Sequence, residues 1–77
     1  MVEPHVRQGL NELLSAYGDV ESIEYLADQA RATFLVLATM KSPQQASMAQ
    51  HALGLTLFGF TSLLINEHWL RERFPPA

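Results

Sequence analysis

Apolar residues at the start of the chain recur at Val6, Leu10, Leu13/Leu14 and Tyr17, a spacing that places them on one face of a helix. Pro4 suits the first turn, where its missing N–H is not needed, and Gly18 suits the position just past the end. Glu3 stands where the helix dipole favours an acid. A first helix over residues 4–17 is predicted. After Gly18 the pattern becomes extended. "VESIEYL" (20–26) and "ARATFLVLAT" (30–39) are rich in β-branched and aromatic residues, with the turn-like "ADQ" between them, and predict an antiparallel hairpin. The second strand is apolar at nearly every position from Phe34 to Ala38, the pattern of a central strand covered on both faces.

"SPQQ" opens a second helix: Ser42 can cap, Pro43 takes the first helical position and Gln45 can complete a capping box. Ala46, Ala49 and Leu53 form a slim stripe that lets this helix lie close on a sheet, and Gly54 ends it. "LTLFGF" is a loop or short hairpin with Gly59 at its bend. "TSLLINEHWL" (61–70) is the last predicted strand. The order is therefore helix, strand, strand, helix, strand: an α+β sandwich with two helices on one face of a sheet. Residues 1–70 form the single domain and 71–77 a C-terminal tail.

Seventy-seven residues, 48% of them hydrophobic and 17% charged, describe one small globular unit rather than a disordered segment. The chain has no cysteine, so neither a disulfide frame nor a cysteine-ligated zinc site is available. Its apolar stretches are too short for a membrane helix and no signal sequence is visible, so a nuclear or cytoplasmic location and no membrane partner are expected. The net charge is −3, and the five cations Arg7, Arg31, Lys41, Arg71 and Arg73 are scattered. Binding driven by phosphate contacts scales with the number of such cations, so only weak, salt-sensitive nucleic-acid binding is expected. His5, His51 and His68 show no metal-ligand spacing, and no serine sits in a nucleophile elbow. Neither an enzyme nor a cofactor or metal site is predicted.

The run "LLSAYG", the apolar spacing in "DVESIEY" and the stretch "AQHALGLTLFGFTSLLIN" resemble the RNA recognition motif family over residues 6–67. That resemblance implies a ferredoxin-like fold with single-stranded RNA read on the sheet. The chain departs from the family in two places. In the octamer that carries the family's stacking aromatics, Arg31-Ala32-Thr33-Phe34-Leu35-Val36-Leu37-Ala38, Thr33, Leu35 and Ala38 stand where aromatics are expected. The family's first strand, which lies centrally between the third and fourth, has no counterpart in this sequence. Direct parallel pairing of "TFLVLA" with "SLLIN" is the expected way to fill that slot, and strand exchange in a homodimer the next.

Strand alternation puts Arg31, Thr33, Leu35 and Leu37 on the face away from the helices, with Leu64, Asn66 and His68 from the last strand. Trp69 follows, and a short helix could let Trp69, Leu70 and Phe74 fold over that face. Two functions follow from different parts of this surface. One is RNA binding through Arg31, Asn66, His68 and Trp69. The other is protein contact or self-association through Leu35, Leu37 and Leu64.

Overall fold

The computed structural model describes residues 4–75; Glu3 of the first predicted helix and the last two residues of the tail lie outside them. Its elements are α1 (Pro4–Ser15), β1 (Val20–Asp28), β2 (Thr33–Met40), α2 (Pro43–Leu53), β3 (Thr56–Phe58), β4 (Ser62–Asn66) and α3 (Glu67–Arg73). The four strands form one antiparallel sheet in the order β1-β2-β4-β3.

This arrangement corrects the ferredoxin-like α-β-β-α-β order expected from the sequence. The observed order is α-β-β-α-β-β-α, with two elements more than expected. The first addition is β3, because "LTLFGF" supplies a strand and a tight return rather than a loop. Gly59 takes φ +72°, a left-handed conformation open to glycine at little cost, and lets the chain reverse into β4. The reversal also decides direction. β4 pairs with β2 directly but antiparallel, with Leu35 opposite Asn66 and Thr39 opposite Ser62, and not in parallel as expected. β3, antiparallel to β4, is the strand that runs parallel to β2 after the α2 crossover. The central slot is thus filled from the C-terminal half of the chain, and no strand need come from a second copy.

The second addition is α3. "NEHWLRER" carries a helix signature that outweighs the β-propensity of its tryptophan. Asn66 caps the helix, its Oδ1 accepting the Trp69 N–H at 2.8 Å. An acid lies in the first turn and Arg71 and Arg73 in the last, matching the helix dipole. Glu67 and Arg71 pair at 2.6 Å, and His68 and Glu72 at 2.9 Å, each four residues apart. The boundary drawn at residue 70 falls inside this helix.

All three helices lie on one side of the sheet. The core joins Val6, Leu10 and Leu14 of α1, Ala46, Ala49 and Leu53 of α2, and Leu70 of α3. These meet Val36, Ala38, Met40, Leu63 and Ile65, which alternation places on a single sheet face. Val20, Ile23 and Tyr25 join them although the first step is three residues. A bulge at Glu21, between the pairs Val20–Met40 and Ser22–Thr39, absorbs the extra residue and keeps Val20 facing inward. At the start of α2, the Ser42 side chain accepts the Gln45 N–H at 3.3 Å, as a cap should. The Gln45 side chain does not close the capping box but accepts the Asp19 N–H at 3.2 Å, tying α2 to the start of β1.

Candidate functional site

The face opposite the helices is a grid whose rows follow from the strand register. Ser22, Thr39, Ser62 and Phe58 form the first row, and Glu24, Leu37, Leu64 and Thr56 the second. Leu26, Leu35 and Asn66 form the third, and Asp28 with Thr33 the fourth. A diagonal of aliphatic side chains therefore crosses the sheet, with hydroxyls and two acids around it. Leu37 and Leu64 are half-buried against their neighbours. Leu26 and Leu35 keep 44% and 36% of their surface in contact with solvent, Phe58 keeps 59%, and Phe60 in the turn beside it keeps 82%. β2 is central, as its apolar run implies, yet it is covered on one face only.

The structure brings together four of the residues expected here: Thr33, Leu35, Leu37 and Leu64, with Asn66 at the end of the third row. It places the other three elsewhere. Arg31 sits in the β1–β2 turn, its Nε 3.8 Å from Asp28 at the corner of the grid. His68 lies on α3, paired with Glu72. Trp69 turns to the helical side: its indole N–H donates to the Leu53 carbonyl at 3.3 Å, which satisfies a C-terminal carbonyl of α2. The Arg73 guanidinium lies 4.7 Å above the Trp69 ring, and Phe74 meets that ring edge-on at 6.5 Å between centroids. Leu70 is in the core, and Phe74 packs against Gly9 of α1, where an added Cβ would come within 2.6 Å of the ring. The expected cover for the open face is thus spent on the helical side. Asn66 is also committed, since capping α3 uses its side-chain oxygen.

Sequence reasoning missed Leu26 and Phe58 as members of this face. Leu26 followed from the alternation of β1, whereas the three residues of β3 are too few for alternation to show which side Phe58 takes.

The electrostatics of the face are lopsided. Its strand residues include Glu24 and Asp28, both on β1, and no cation. Arg31 is in the turn, Lys41 follows the end of β2, and Arg7 lies over the Tyr25 ring at 5.0 Å on the helical side. In the same row as Asp28, the Thr33 hydroxyl donates at 3.0 Å to the Glu67 carboxylate, which also accepts from Arg71. Arg71 above all, then Thr33, holds this carboxyl below the usual glutamate value. A depressed folded-state value means that the ionised form favours folding. The contribution is fully present above the unfolded value near about 4.3 and is lost as pH falls through the folded one. Thermal melts from neutral pH down to about pH 3 are expected to show a smaller acid-side loss for Glu67→Gln than for the parent, together with a slightly lower melting temperature at neutral pH. Identical acid limbs for the two proteins would show that this carboxylate contributes nothing.

Among the described residues, no group of three His, Asp or Glu side chains could hold a metal, and no helix is long and apolar enough to cross a membrane. No family model, curated protein or solved structure matches the chain.

Proposed function

We propose that this chain is a protein-interaction module whose contact surface is the open sheet face. The observation that carries this reading is the aliphatic diagonal Leu26–Leu35–Leu37–Leu64, left uncovered by the chain's own helices and bordered by Phe58. Contiguous apolar surface on a small domain is a mark of contact with another macromolecule. The composition favours protein over RNA. A surface that binds single-stranded nucleic acid offers aromatic platforms, each contributing about 1–3 kcal/mol per stacked base, and cations for the phosphates. Here leucines occupy the centre and the only charges on the strands are acidic.

A photo-crosslinking amino acid in place of Leu35 tests the reading in cells. The expected outcome is a discrete protein adduct, absent when the same group replaces Met48, which is exposed on the outer side of α2. Adducts to RNA rather than protein at position 35 would overturn the proposal in favour of the function that the family resemblance implies. Labelling no stronger than at Met48 would remove this face as a contact surface.

A further inference from the structure

We infer that the occupant of the open face is an amphipathic helix of a partner protein. Its leucine-sized side chains lie on the aliphatic diagonal, and its lysines or arginines lie over the acids of β1. The inference rests on the reading of that face as a protein contact surface.

Shape selects a helix. The diagonal runs from Leu26 and Leu35 through Leu37 and Leu64 to Phe58, crossing three strand spacings while advancing four residues along the strands. At about 4.8 Å per strand and about 3.4 Å per residue, it is roughly 20 Å long. Its flanks are polar, with Glu24 and Thr39 on one side and Asn66 and Thr56 on the other. A second sheet laid face to face would cover those flanks together with the leucines and bury their polar groups. A helix instead presents one apolar stripe bordered by polar residues. About 13 helical residues span the same length at about 1.5 Å each, with apolar side chains at i, i+4, i+7 and i+11.

Charge selects what borders that stripe. Leu26 stands at the β1 edge between Glu24 and Asp28, each two residues away on the same face. Asp28 already has the Arg31 guanidinium at 3.8 Å, but Glu24 has no ion-pair partner among the described residues. No cation stands on the strands of this face, so a partner meets only acids there. Interfaces bring opposite potentials together and reject like ones. Cations beside the side chain that covers Leu26 therefore match this end, and acids there are repelled. The other end asks for none, since residues 52–65 contain no Asp, Glu, Lys or Arg. The partner's cations belong at one end of its stripe.

Two helical peptides of about 13 residues test this, titrated to about 1 mM into the full 77-residue chain while amide shifts are followed. Both carry leucines at i, i+4, i+7 and i+11. One has lysines beside the last leucine, where they also suit that helix's dipole, and the other has glutamates in their place. The lysine peptide is expected to shift Leu26, Leu35, Leu37 and Leu64, to bind at least about tenfold tighter than the glutamate peptide, and to weaken as salt is added. Glu24→Gln is expected to lose about two- to fivefold of that affinity, and Glu12→Gln, at an exposed acid on α1, none. No shift with either peptide, equal affinity for both, shifts confined to other surfaces, or equal losses for the two variants would overturn the inference. Mapping the crosslinked segment in the protein adduct at position 35 tests the natural partner. A segment with Lys or Arg beside its leucines supports the cationic helix. A segment without such cations, or one from a second copy of this chain, excludes that helix and leaves the contact-surface reading standing. RNA adducts there would sink both.

Discussion

Replacing Ile65 with alanine is expected to cost about 3 kcal/mol of folding stability, whereas Leu64→Ala, one residue earlier, is expected to cost about 1 kcal/mol. Both residues lie in the middle of β4, and both lose methyl-bearing carbons of the same chemistry. They differ in the face they take. Ile65 is fully buried opposite Val36, beneath the helices, and its truncation leaves a cavity that the packed core cannot collapse into. Leu64 stands half-buried on the open face, where water or a partner fills the space. A domain of this size is held by about 4–12 kcal/mol at the usual 0.05–0.15 kcal/mol per residue, so the first loss takes a large share of the total. Urea unfolding should be followed at a protein concentration low enough that association adds no stability. Equal costs, or a reversed order, would mean that β4 is slipped by one residue and presents the opposite face.

That contrast was legible in the sequence, since the alternation of "SLLIN" alone assigns Leu63 and Ile65 to the helices and Leu64 to the other side. The first two helices and the β1–β2 hairpin were legible for similar reasons: each carries its own period and its own stop signals. The direction of β4 was not. It depends on whether "LTLFGF" is a loop or a strand with a reversal, and three residues of strand are too few for alternation to declare itself. The fate of the C-terminal segment was hidden by a conflict between levels. Trp69 favours a strand, while the Asn66 cap, the pairs at four-residue spacing and the terminal charges favour a helix, and together they outweigh it. Of the candidate site, the leucines followed from alternation, because the sheet is regular there. Asn66 does lie on this face, at the end of β4, whereas His68 was grouped with it only because the strand was drawn too long, and Trp69 because the tail was expected to fold over the sheet. The uncovered state of the face could not be read at all, since it depends on which side of the sheet α3 packs.

Substituting Gly18 with alanine is expected to destabilise the fold by about 2–4 kcal/mol, the combined scale of an unfavourable backbone conformation and an overpacked contact. Gly18 joins α1 to β1 at φ +154°, a region that side-chain-bearing residues rarely enter. A Cβ there would also collide with the Cδ, Cγ and Oε1 atoms of Gln45. That side chain has little freedom to retreat, because its Oε1 accepts the Asp19 N–H at 3.2 Å. The Asp19 carbonyl in turn accepts the Lys41 N–H at 3.0 Å, so one short stretch of backbone links the α1–β1 turn to the β2–α2 turn. Gln45→Ala alone removes only the hydrogen bond, at about 0.5–1.5 kcal/mol, and opens the space. In that background Gly18→Ala should therefore cost about half as much, leaving the backbone part, and a double-mutant cycle by denaturant unfolding separates the two. A cost for Gly18→Ala below about 0.5 kcal/mol, within the range of an ordinary surface change, would show that α2 is not seated against this turn. An undiminished cost in the Gln45→Ala background would assign the whole effect to the backbone and none to the contact.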